Sequence, residues 1–155
     1  MHDVPAQAHT VALTTVPASP DVCFEVAIDL ERYPEWAEGI TTVTVHERDS
    51  DGRPIQARFE AQGIGRGSNY TLAYDLSEAP SRMSWTMIEG DLTSRLEGTY
   101  VFEPSTVGPA ETDVTFELFV DLAVPLPGFV KRRAEDKILD AALARFRARV
   151  ITIAA

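Results

Sequence analysis

The chain has 155 residues, of which 45% are hydrophobic and 25% charged, with 24 acidic against 14 basic side chains and a formal net charge of -10. That length fits one domain and lets folding bury roughly 70% of the surface of the unfolded chain, so no disulfide is needed to make a core. The acidic balance excludes wholesale nucleic-acid binding, which needs a basic face, and no stretch approaches the ~20 apolar residues of a membrane span.

Residues 1–7 read as a loose tail. It lacks the basic n-region and apolar h-region of a secretory signal, so a cytoplasmic location is expected. Thr10 to Val16 alternates as a strand does, with Val11 and Leu13 on one face. Ser19-Pro20 then predicts a helix start, since serine caps free N–H groups and proline suits the first helical position. Val22, Phe24, Val26, Ala27 and Leu30 fit a short helix facing a core. Cys23, the only cysteine, lies in this run with no histidine near it. A buried, unreactive thiol is expected, because nucleophilic chemistry needs a base to raise the thiolate fraction. Tyr33-Pro34 interrupts the helix, because the residue before proline avoids the α region. A second short helix is predicted at about Glu35 to Glu38, with Trp36 at the core edge, and Asp29 and Glu31 are expected in solvent.

From Thr41 onward the period is two. Val43 and Val45 alternate with threonines, and Asp51-Gly52 is a hairpin signal. The inward phases predicted for the next strands are Ala57, Phe59, Ala61, then Tyr70, Leu72, Tyr74, Leu76, then Met83, Trp85, Met87. Leu96, Gly98, Tyr100, Phe102 follow, and then Val114, Phe116, Leu118, Val120. Turns fall at Ala79-Pro80, Gly90-Asp91 and Pro104 to Ala110. Short connections between such strands imply an antiparallel meander with one wet and one dry face. Gly98 is expected to permit a bend or a close approach. Pro125 and Pro127 end the last strand. A helix from about Phe129 to Ile151 then carries an apolar stripe of Val130, Ala134, Ile138, Ala142, Phe146 and Val150. It must lie on the sheet to bury that stripe.

This helix is also where the positive charge collects. Residues 131–149 hold seven bases and three acids (+4), which leaves the remainder at seven bases against 21 acids (-14). A solvated outer face is the plain reading. The alternative is a docking face for an acidic partner, a second copy in a homodimer, or an anionic membrane surface. Twelve of the 14 basic residues are arginine, which suits a GC-rich bacterial genome.

Several segments together resemble the START-like superfamily, also called the helix-grip, Bet v 1-like or SRPBCC fold. They are Pro17-Ala18-Ser19-Pro20-Asp21-Val22-Cys23-Phe24 running to Asp29, Tyr33-Pro34-Glu35-Trp36, Ser84-Trp85, Glu89-Gly90-Asp91, Leu96-Glu97-Gly98-Thr99-Tyr100 and Pro125-Leu126-Pro127-Gly128-Phe129. Within the superfamily the chain is most similar to the bacterial polyketide cyclase/dehydrase and lipid transport group. The resemblance implies an α+β helix-grip domain over residues 8–154. Its seven-stranded curved antiparallel sheet grips the long C-terminal helix, with a ligand cavity between them and two short helices closing one end.

The expected ligand-binding residues are Phe59, Tyr70, Tyr74, Trp85, Met87, Tyr100, Phe116, Ile138 and Ala142. Three inward tyrosines are unusual in a dry core, because each buried hydroxyl needs a partner. Ala57, Ala61, Gly98, Ala134 and Ala142 leave room. The partner expected is a hydrophobic small molecule, such as a lipid, isoprenoid or polyketide. Each buried methylene would contribute roughly 0.8 kcal/mol to binding it.

No catalytic constellation stands out. His2 lies in the tail, His9 leads into the first strand, and His46 is out of phase with Val43 and Val45. No histidine or cysteine cluster has metal-ligand spacing, and neither metal nor cofactor is expected. Gly63-Ile64-Gly65-Arg66-Gly67 precedes a strand rather than a helix, so it offers no helix N-terminus to a phosphate. It reads as a flexible hairpin at the cavity mouth. The second reading is a polyketide cyclase or dehydratase that folds a poly-carbonyl chain into a near-attack geometry. A tyrosine hydroxyl would assist there, with Arg95 a poorer helper on the polar phase of its strand.

Overall fold

The structure is a computed structural model and describes residues 8–63, 66–91, 93–108, 110–122 and 126–154. Strand β1 (Ala8–Val16) leads to helix α1 (Pro20–Ile28) and a 3-10 helix (Leu30–Glu35). Strands β2 (Ile40–Arg48), β3 (Pro54–Gly63), β4 (Arg66–Asp75), β5 (Arg82–Gly90), β6 (Thr93–Pro104) and β7 (Thr112–Leu122) precede helix α2 (Gly128–Ala154). The strands form one antiparallel sheet in the order β1-β7-β6-β5-β4-β3-β2. Six strands thus follow one another as hairpins, and β1 alone pairs across the sequence, with β7.

Ser19 caps α1 by accepting the Val22 N–H, and Pro20 occupies the first turn. The helix ends at Ile28, before Leu30. The second short helix starts at Leu30, not Glu35, and Trp36 is its C-cap. Pro34 sits inside it because so short a helix leaves most of its N–H groups without intrahelical partners anyway. In β1, Val11 and Leu13 do share a face, but it is the outer one: they are 51% and 71% exposed. The register explains this. Ala12 lies opposite Phe116 and Thr14 opposite Val114, and residues directly opposite share a face.

Two buried clusters make the core. In the larger, Cys23, Phe24 and Ala27 of α1 meet Met83, Tyr100, Phe102, Val114, Phe116 and, from α2, Leu139, Phe146 and Val150. In the smaller, Leu30, Ala57, Phe59 and Leu72 pack together. The fully buried Cys23 thiol has its pKa pushed up by that burial, as expected of an unreactive group.

Helix α2 departs from the expected stripe. Its buried residues are Glu135, Leu139, Phe146 and Val150, while Val130 and Ile138 are 37% and 38% exposed. Glu135, only 1% exposed, accepts the Leu122 N–H at 2.9 Å and so ties the helix to the end of β7. Glu135→Ala would strand that N–H, and a loss of about 1–3 kcal/mol in chemical denaturation is expected. Glu135→Gln, which keeps an acceptor oxygen, should retain most of the stability.

The basic face of α2 is partly consumed inside the molecule. Arg149 pairs with Glu35 at 2.9 Å and Arg145 with Glu38 at 3.2 Å. Lys131 pairs with Asp121, whose carboxyl is held below the usual range by Lys131 and Ser94. Arg147 donates to the Thr15 carbonyl. These contacts fasten both ends of α2 to the sheet side and to the short helices.

Candidate functional site

Between the sheet and the cavity-facing side of α2 lies a cavity of about 740 Å³, within the roughly 300–1,000 Å³ range of small-molecule sites. Its floor is the inward phase of β3 to β7, including Phe59, Tyr70, Leu72, Tyr74, Trp85, Leu96, Tyr100, Phe116, Leu118 and Val120. Its roof is Val130, Ala134, Ile138, Ala141 and Ala142 of α2, and Tyr33 and Trp36 close one end. Val130 and Ile138, each more than a third exposed, both line this space. A stripe that would be core in a close-packed pair of layers is here the roof of a void.

Eight of the nine residues expected at the site line it: Phe59, Tyr70, Tyr74, Trp85, Tyr100, Phe116, Ile138 and Ala142. Met87 is not among the lining residues and packs instead against the smaller core cluster. The β4–β5 register shifts just after Thr71, so that Tyr70 faces Gly90 while Leu72 faces Met87. This lets the Met87 sulfur lie over Gly90, 2.6 Å from where a Cβ would stand.

Aromatic rings build the wall. Trp85 packs on Tyr100, Tyr74 and Phe116 with centroids 5.4, 6.1 and 6.2 Å apart, and Phe59 stacks on Tyr70 at 5.4 Å. Gly98 makes the Trp85 position possible. The indole lies flat over it, and a Cβ there would stand 2.2 Å from Cζ2 and 2.4 Å from Cε2. Gly98→Ala must push the indole off the wall. A loss of about 1–3 kcal/mol, typical of overpacking, and a shifted tryptophan emission spectrum are expected. An unchanged spectrum would contradict this role for the glycine.

The polar groups are few and specific. Among the described residues, Tyr33 donates its hydroxyl to the Ala27 carbonyl, whereas the hydroxyls of Tyr70, Tyr74 and Tyr100 have no protein partner. Burial raises the pKa of Tyr70 to about 12, and it raises those of Tyr74 and Tyr100 as well. Near neutral pH the three are therefore protonated donors. Of the lining residues, Glu38, Gln62, Leu126, Lys137 and Arg145 are exposed to solvent and mark the mouth, while Gly39, Ser68 and Thr93 are half-buried.

The other candidates fall away from this space. His46 is exposed, while His2, the His9 side chain, Ile64, Gly65 and Pro125 lie outside the described residues, as does the tail, residues 1–7. Asp29 pairs with Arg32, and Glu31 with Arg48. Arg95 pairs with Glu97 and lies over the Phe119 ring on the polar phase of β6. No group of three or more metal-ligating side chains occurs among the described residues. No described helix is long and apolar enough to cross a membrane.

Sequence reasoning did not place Trp36, Lys137 or Arg145 at the site. Trp36 was legible as a core-edge residue. The two cations look like outer-face residues until the helix is seen to stand over an opening.

A seven-stranded antiparallel sheet with a long C-terminal helix over its inner face is the START-like, helix-grip class of α+β domain. The chain belongs to the polyketide cyclase / dehydrase and lipid transport family, whose model matches residues 16–147. Similar solved structures include a START superfamily protein from Mycobacterium smegmatis, with a TM-score of 0.83 at 23% identity over 94% of this chain and 98% of the other. A protein from Thermus thermophilus has a TM-score of 0.77 at 24% identity, over 96% of this chain and 100% of the other. The Zhui aromatase/cyclase from Streptomyces has a TM-score of 0.77 at 16% identity, over 96% and 93%. No curated protein matches the chain.

Proposed function

We propose that this protein binds a hydrophobic small molecule, of the size of a lipid, isoprenoid or polyketide, in the space between the sheet and α2. The observation that carries this reading is a cavity of about 740 Å³ with apolar walls and three tyrosine hydroxyls that have no protein partner among the described residues. Apolar burial supplies the affinity. The hydroxyls donate to neutral oxygens on the ligand and set its orientation. The family's description, which includes lipid transport, supports the same reading.

Native mass spectrometry of the freshly purified protein, together with uptake of a fluorescent lipid, tests it. A co-purified small molecule or saturable uptake is expected, and the absence of both would defeat it. Trp36 and Trp85, the only tryptophans, both border the cavity, so their emission should change on filling.

The second reading is a cyclase or dehydratase acting on a bound poly-carbonyl chain. It is favoured by the family's description and by the same three donors. The wall would hold the chain folded, and a phenol would stabilise an enolate oxygen as it forms. Tyr70→Phe, Tyr74→Phe and Tyr100→Phe each keep shape and remove one hydroxyl. Under this reading at least one should lower turnover of a poly-carbonyl substrate about 10²-fold or more. Full turnover by all three would exclude tyrosine chemistry.

A further inference from the structure

The charged groups of the cavity narrow the class of ligand, an inference that rests on the container reading above. Among the described lining residues the charged side chains are Glu38, Lys137 and Arg145, a net of +1 in a chain whose net is -10. Arg145 and Glu38 satisfy each other across the mouth at 3.2 Å. Lys137 has no ion pair among the described residues, although Asp136 and Asp140 are close by in the sequence. Lys137 is thus the cation of the described lining that no carboxylate engages. Gln62, Ser68 and Thr93 add neutral polar groups to the lining.

We propose that the ligand is a carboxylate-headed amphiphile, its chain inside the cavity and its carboxylate at the mouth against Lys137. Two alternatives are less favourable on physical grounds. An uncharged hydrocarbon would gain nothing from the exposed ammonium, which water solvates in either case. A carboxylate turned inward would meet the three phenols but no cation, and burying an unpaired charge is the most costly arrangement. The phenols therefore serve neutral oxygens along the chain, and the anion stays where water and Lys137 share it.

Titration of the tryptophan emission with dodecanoate, dodecanol and dodecyltrimethylammonium tests this, because the three share a tail and differ in head charge. The wild type should bind dodecanoate best and the ammonium worst. Lys137→Gln should weaken dodecanoate about two- to fivefold, the range of an exposed ion pair, and leave dodecanol unchanged. Lys137→Glu should reverse the preference toward the ammonium. Ala142→Trp, which takes up space at the roof and leaves the Lys137 side chain in place, should weaken binding of all three alike.

Equal affinity for dodecanoate and dodecanol, or a Lys137→Gln variant that behaves as wild type, would overturn the head-group assignment and leave the container reading standing. Dodecanoate affinity that Ala142→Trp leaves unchanged would mark surface adsorption and overturn the assignment too. Failure of all three amphiphiles to bind would overturn both. Unchanged thermal melting of the Lys137 variants without ligand verifies that the fold is intact.

Discussion

Phe146→Ala is expected to destabilise the protein by about 3–5 kcal/mol, the cost of emptying a large aromatic site in a packed core. Phe146 is fully buried. Its ring lies 4.8 Å from Tyr100, 6.0 Å from Phe102 and 6.2 Å from Trp36, centroid to centroid. It is the residue through which α2 holds β6 and the end of the short helices together. The roof of the cavity lies on the preceding turns of the same helix, so loosening this contact also loosens the roof. The denaturation midpoint should fall with little change in slope, and ligand affinity should fall with it. A loss under about 1 kcal/mol would mean that α2 is held chiefly by its ion pairs. That outcome would be surprising, since the pairs to Glu35 and Glu38 have at least one well-exposed partner each, and exposed pairs contribute 0–1 kcal/mol.

Alkaline solution should unfold the protein steeply. All four tyrosines of the chain, Tyr33, Tyr70, Tyr74 and Tyr100, have pKa values raised above 10, in each case chiefly by burial. In the unfolded chain they ionise near pH 10. Above that pH the unfolded state holds fewer protons than the folded one, so stability falls as pH rises. The loss begins near pH 10 and continues through the folded values, of which that of Tyr70 is about 12. Each tyrosine contributes at most about 1.4 kcal/mol per pH unit. All four border the cavity, so solvent there keeps their share below this ceiling. Ultraviolet titration should show no phenolate near pH 10, then cooperative ionisation that coincides with loss of structure by circular dichroism. Independent titration of the tyrosines near pH 10 in the folded protein would contradict their burial. A bound ligand should move the transition to higher pH.

Much of this architecture was legible in the chain because period-two alternation has one physical cause, a strand with one dry face. That pattern assigned Phe59, Tyr70, Tyr74, Trp85, Tyr100 and Phe116 to the inner surface. It failed at the margins for separate reasons. In β1, Val11 and Leu13 are the apolar pair, yet the register against β7 turns them outward; pattern alone does not know which neighbour fixes the phase. Met87 has the right phase, but a register shift beside Gly90 draws it aside. In α2 the stripe of Val130, Ala134 and Ile138 has the spacing of a face buried against the sheet, whereas it roofs a void. Glu135, which looks like a surface acid, is the buried tie to Leu122. A one-dimensional pattern reports that a surface avoids bulk water. It does not report whether side chains or an open space lie opposite.

The pairing of β1 with β7 has a consequence for how the chain is made. On the ribosome the first strand emerges roughly a hundred residues before the partner it needs, while β2 to β7 can close hairpin by hairpin as they appear. Until synthesis reaches Leu122, β1 is an orphan, and the vacant flank of β7 does not yet exist to receive it. Chaperone capture of arrested nascent chains should therefore persist to that length and drop once the final strand and helix have cleared the exit tunnel.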